Sequence, residues 1–237
     1  MANSTSPSAR RRSTTGSKAA TRSTRRRAQP RARRRSLDLV DKDGRDRIVA
    51  VAIRSFSEVG YEGTTTAGVA REAGVTQPLI HHHFGSKEGL WRAAMDELFS
   101  EVRAFTVPRA VSPTDRILGA AEQFVRFVAA HPEVTRVIAR EGAAPSPRLT
   151  YLVDRYLRQP FREMANLVRT GQRAGLLAPH VRPDLALFFM LGAGSYLFDV
   201  TALAQESFGV DATSAQVRED FVVLVREVLR GGLFRKP

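Results

Sequence analysis

Cysteine is absent from this 237-residue chain. That excludes disulfides, thiol catalysis and cysteine-based metal sites, and with them any small scaffold held by cross-links. Long apolar runs are lacking too. The longest, residues 185–198, is LALFFMLGAGSYLF between Asp184 and Asp199, shorter than the ~20 residues that span a bilayer. No secretory leader is visible near the start, so the chain is expected in the cytoplasm with no membrane partner. Aromatic residues make up only 8%, and no strand-type alternation of useful length is present. What is there, 43% hydrophobic residues rich in Ala, Leu and Val, points to an all-α protein with ample core.

Acidic side chains are missing from the first 37 residues, which hold twelve of the 37 Lys and Arg. The remainder carries 25 basic against 24 acidic residues, so the net charge of +13 sits almost entirely in this tail. The tail has no Val, Ile, Phe, Trp or Tyr, too little apolar surface to fold alone. Residues 1–40 are therefore expected to be a disordered basic arm. A mitochondrial leader would need an amphipathic helix that these residues cannot supply. A nucleic-acid-binding arm and a merely solvated tail both remain open.

After the arm, Ile48, Val51, Ala52, Phe56 and Val59 recur at three- and four-residue steps. This spacing predicts a helix from about Asp43 to just before Gly60. Residues 63–90, GTTTAGVAREAGVTQPLIHHHFGSKEGL, are the most informative stretch. Val69, Ala70 and Ala73 give a short helix one apolar stripe, and Gly74 ends it. Thr76 sits at the N-cap of the next helix, with Pro78 in its first turn. Leu79, Ile80 and Phe84 supply its inward face, and Ser86 caps a further helix expected to run to Val107 before Pro108. Two short helices joined by a Gly turn form the helix-turn-helix arrangement, whose second helix lies in the DNA major groove.

Residues 45–91 resemble the DNA-binding domain of the TetR family, the tetracycline-repressor-like bacterial regulators. The shared pattern is an apolar helix ending in FSEVGYEGTT, then VAREAGV, then a helix ending in HHHF, then GSKEGL. Three positions depart from it. His81 and His82 stand where many relatives carry aromatic residues, and Ala67 stands where relatives often have a polar residue.

The resemblance implies a three-helix DNA-binding domain over residues 41–91 and a larger helical domain for ligand binding and dimerisation over residues 92–232. It also assigns roles. Gln77 reads an adenine edge, and Pro78 or Leu79 touches a thymine methyl. Thr65, Thr66, Thr76 and Lys87 hold phosphates. His81 and His82 face the DNA backbone or solvent, and His83 packs against the head. Three successive helical residues point about 100° apart, so the histidine triplet is not expected to hold a metal.

Pro and Gly punctuation divides the rest into helices over about 113–130, 132–141, 147–174 with a kink at Pro160, 183–205 and 214–230. The resemblance places an apolar effector pocket among them, with Phe124, Phe127, Phe161, Met164, Phe188 and Phe189 as candidate lining. Tyr151, Asn166, Gln172 and Glu141 are candidate polar anchors. The small residues Gly192, Ala193, Gly194 and Ser195 permit close helix approach. Together with Phe221, Val222, Leu224, Val225, Val228 and Leu229 they suggest a four-helix contact with a second copy.

No phosphate loop, nucleophile elbow or HExxH pattern is present, so no catalytic residue and no cofactor are expected. The reading is a homodimeric, effector-responsive transcription factor, foremost a repressor, on a palindromic double-stranded operator. A ligand-independent architectural DNA-binding protein, or a helical small-molecule enzyme, are the competing classes.

Overall fold

The computed structural model describes residues 30–100, 102 and 112–233. The expected disorder of residues 1–29, and the expected end of the fourth helix at Val107 and Pro108, lie outside them. Among the described residues every regular element is helical.

Helix α1 (Pro30–Gly63) starts ahead of the expected Asp43, so residues 30–40 of the basic arm are helical. From residue 43 on, Ile48, Val51, Ala52 and Phe56 are buried as expected, whereas Val59 is 53% exposed. Gly60 breaks the helix at φ 76°, ψ 178°, and Tyr61, beyond the break, is the residue that packs on Phe56. Helix α2 (Thr66–Glu72) is capped by the Thr65 hydroxyl, which accepts from Gly68 N–H. Gly74 turns the chain at φ 66°. Helix α3 (Gln77–Phe84) begins with Pro78 in its first turn, and Gly85 turns the chain after it at φ 73°. Ser86 caps α4 (Lys87–Leu98) by accepting from Gly89 N–H.

The remainder comprises α5 (Pro113–Ala130), α6 (Pro132–Glu141), α7 (Pro147–Leu152), α8 (Arg158–Arg173), α9 (Pro183–Asp199), α10 (Thr201–Phe208) and α11 (Ala215–Val228). The kink predicted at Pro160 takes the form of a π-helical turn, Val153–Leu157, between α7 and α8. Proline lacks the N–H that would close on the carbonyl four residues back and crowds that carbonyl, so the preceding turn widens. The single helix expected over 183–205 is two, bent by 66° around Val200. No single helix among the described residues is long and apolar enough to cross a membrane; α9 and α10 reach that length only together, across the bend.

One core runs through the head and into the helices behind it. Ile48, Phe56, Ile80, Leu90, Trp91 and Met95 cluster with Val134, Val137, Leu152, Tyr156 and Leu157. A second cluster joins α5, α9 and α11 through Val125, Val128, Phe198, Val222 and Val225. Two glycines make these crossings possible. A Cβ on Gly194 would lie 2.8 Å from the Phe124 ring, and one on Gly171 would lie 2.7 Å from Ile117 Cδ1.

Candidate nucleic-acid interface and apolar cavity

The turn between α2 and α3 presents the predicted DNA-facing residues together. Gln77, Pro78, His81 and His82 at the start and outer side of α3 are exposed, as are Thr65 and Thr76. Ile80 on the opposite side is fully buried, which fixes the helix's rotation. Leu79 is half-buried against the head core. Gln77 Nε2 donates to Thr66 Oγ1 at 3.3 Å, so the side chain lies across the α2 start. Thr76 makes no side-chain cap, which leaves its hydroxyl at the α3 N-terminus, where N–H groups and dipole favour a phosphate.

Lys87 is held from behind. Its Nζ lies 4.4 Å from the Tyr61 ring centroid and 3.5 Å from the Glu62 carbonyl, a cation–π seat that holds the side chain against the end of α1. Arg148 also lies over Tyr61, at 4.1 Å. Among the described residues no three His or carboxylate side chains group as a metal site would require. His83 is half-buried, its ring against those of His82 and Phe84.

Behind the head, α5, α6, α8 and α9 line a partly open cavity of about 550 Å³, within the range that holds small ligands. Phe124, Phe127, Phe161, Met164 and Phe189 are among the residues that line it. Phe188 is not: it is 63% exposed on the outer side of α9, edge-on to Phe161. Its ring is turned outward, whereas Phe189, itself 57% exposed, borders the cavity at its rim.

None of the four candidate anchors reaches the wall. Gln172 Nε2 donates to the Ala178 and Val181 carbonyls at 3.0 and 2.7 Å, pinning the loop that carries Leu177 and Val181 over the cavity. Tyr151 packs beside Trp91, Asn166 accepts from Arg169, and buried Glu141 pairs with Arg148 at 3.1 Å. Among the described residues the polar side chain that lines the cavity is Thr135, which sequence reasoning had no cause to single out. It sits in the first turns of a short amphipathic helix, where a threonine reads as ordinary.

The π-helical turn connects cavity and head. Leu157 and, just beyond it, Pro160 line the cavity, while Arg155 Nε donates to Asp96 of α4 at 2.8 Å and the Tyr156 hydroxyl donates to the same oxygen. Burial works to raise the Asp96 carboxyl, but the hydrogen bonds from Tyr156 and Arg155 outweigh it and hold it below its ordinary value.

Residues 48–94 match the family model described as bacterial regulatory proteins, tetR family. Residues 110–199 match that of the tetracyclin repressor-like C-terminal domain. Together they span more than half of the chain, which belongs to the TetR family of bacterial regulators. The HTH-type transcriptional regulator BetI of Burkholderia mallei is 34% identical over 71 residues, 30% of this chain and 36% of BetI. The match thus spans about a third of the length of such relatives. Among solved structures, the ketosteroid transcriptional regulator KstR2 of Mycobacterium tuberculosis superposes with a TM-score of 0.59 at 24% identity, over 81% of this chain and 95% of KstR2. AibR, in complex with isovaleryl coenzyme A and operator DNA, gives 0.59 at 19% identity, over 78% of this chain and 97% of AibR. At these identities the likeness is one of fold.

Proposed function

We propose that the chain is an effector-responsive transcriptional repressor of the cytoplasm, which binds a palindromic operator as a homodimer and leaves it when a small apolar molecule enters the cavity. The observation that carries this reading is the continuous core: the residues that set α3 and α4 pack in the same cluster as Leu157, which also lines the cavity. A ligand that alters the cavity wall thereby has a mechanical route to the reading head. It shifts the equilibrium only by its difference in affinity for the two states. The operator and coenzyme A ester bound by AibR, and the ketosteroid that KstR2 is named for, support the two-ligand scheme for this fold.

In this reading Gln77, with Pro78 and Leu79, reads bases. Thr65, Thr66, Thr76, Lys87 and the exposed His81 and His82 serve the backbone. The dimer forms on the outer face of α9 and α11. Leu185, Phe188, Phe189, Gly192, Ala193 and Tyr196 are spaced along one exposed side of α9, and Val223, Leu224 and Val228 are exposed on α11. An apolar stripe of this kind on two neighbouring helices suits an isologous four-helix contact.

Selection of binding sites from random duplex DNA tests the proposal. The expected product is two inverted half-sites about one helical turn, or a small multiple, apart. Enrichment of no sequence, with a broad footprint, would instead favour an architectural role for the basic arm.

A further inference from the structure

Resting on the effector reading above, we propose that the cavity selects an uncharged lipophile bearing a single hydrogen-bond donor, a hydroxyl, which it reads through the oxygen of Thr135.

The described wall contains no Lys, Arg, His, Asp or Glu, and Thr135 is its one polar side chain. A carboxylate, phosphate or ammonium placed there would lose its hydration with no partner of opposite charge, a loss far larger than one hydrogen bond returns. Against the described wall a charged group is therefore disfavoured.

The polarity of the remaining contact follows from where the Thr135 hydrogen goes. The hydroxyl owns one hydrogen and two lone pairs. Its Oγ1 lies 2.7 Å from Asp199 Oδ1 and 3.0 Å from the Pro132 carbonyl, both acceptors. The second Asp199 oxygen takes the Ser195 hydroxyl at 3.1 Å. The Thr135 hydrogen is thus committed inside the protein, to a carboxylate, and charge-assisted bonds of this type are the stronger ones. Only lone pairs are left to offer a ligand. A carbonyl, ether or ester would bring acceptor against acceptor, with the Asp199 charge behind. An alcohol donates into the open lone pair without disturbing the Thr135–Asp199 bond. An amine would arrive as an ammonium with three hydrogens for one neutral oxygen, since Asp199 is not among the described wall residues.

The test is displacement of the neutral dye Nile red from the full-length protein by a matched series: decane, decan-1-ol, 1-methoxydecane, decanoate and decylammonium. Decan-1-ol is expected to displace the dye roughly three- to tenfold more tightly than 1-methoxydecane, the range one neutral hydrogen bond supports. Decanoate and decylammonium should be the weakest. Thr135→Val should bring alcohol and ether level, and Thr135→Ser should keep the gap. If Thr135→Val does not fold, the wild-type ratio and the Ser variant decide. Ether equal to or tighter than alcohol, or decanoate tightest, overturns the donor assignment while leaving the effector reading intact. Operator affinity measured in parallel separates the two. An alcohol preference with no change in operator binding establishes the wall chemistry and removes the effector reading. Failure of the dye and every probe to bind overturns both.

Discussion

Arg140 fills the space beside Gly60 that a side chain would need. A Cβ there would lie 2.8 Å from Arg140 Cδ, and Arg140 Nη2 donates to the Glu58 carbonyl at 2.8 Å. The broken end of α1 is thereby clamped by α6, with Arg148 of α7 beside it over the Tyr61 ring and 3.7 Å from Glu62. These contacts orient the reading head from behind.

Gly60→Ala should therefore cost stability twice over, through a backbone region essentially reserved for glycine and through displacement of Arg140. A loss on the order of 1–3 kcal/mol is expected in urea unfolding. Arg140→Ala, which frees the Glu58 carbonyl, should cost ~1 kcal/mol. Gly60→Ala with an unchanged midpoint would mean the clamp has no energetic weight.

At the DNA face, Gln77→Ala should relax preference at one or two base pairs per half-site and weaken operator binding by ~1–3 kcal/mol. Lys87→Ala should weaken all sequences alike and reduce the salt slope by about one for each phosphate that Lys87 neutralises. An unaltered sequence logo for Gln77→Ala would show that another residue of α3 reads the bases.

Assembly should depend on the outward residues of α9 and α11. Phe188→Glu with Leu224→Glu should shift the protein toward monomer in sedimentation and weaken operator binding with it. Gly194 and Val225 behave differently. Gly194 is packed against Phe124 and Val225 is 8% exposed, so a Glu at either should lower the melting temperature even at concentrations where the protein is monomeric. Tight operator binding by a wild-type monomer would remove the dimer model.

Acid stability should report the joint at Asp96. Its carboxyl is held below its ordinary value in the folded protein. The group's contribution is present above the unfolded carboxylate range near 4 and is lost as pH falls through the lower folded value. Wild type should lose stability more steeply than Asp96→Asn as pH drops below about 4. Coincident acid-unfolding profiles would show that the Tyr156 and Arg155 hydrogen bonds do not favour the ionised form.

Deleting residues 1–29 removes eight of the twelve arm cations. The salt dependence of binding should become shallower, and binding to scrambled DNA should fall more than binding to operator. The folding midpoint should not move, since the deleted segment contains no Val, Ile, Leu, Phe, Trp or Tyr. Parallel salt slopes would mark the segment as an inert leader.

Local chemistry makes most of the head legible in the amino-acid sequence. Caps at Thr65 and Ser86, the positive-φ glycines Gly74 and Gly85, and Pro78 in a first turn each act within a few residues of themselves. Sequence alone therefore determined the helix-turn-helix, the all-α class and the placement of charge. Tertiary packing decided the rest. That Phe189 borders the cavity while Phe188 stands outside it depends on how α9 packs against α5, where the Phe124 ring lies at Gly194. The space beside Gly60 is taken by Arg140, far along the chain. Thr135 acquired meaning only when Asp199 came within 2.7 Å of it across 64 residues. Periodicity records that a residue is apolar or polar; it holds no information about which distant side chain satisfies it, and the cavity is built from such distant pairs.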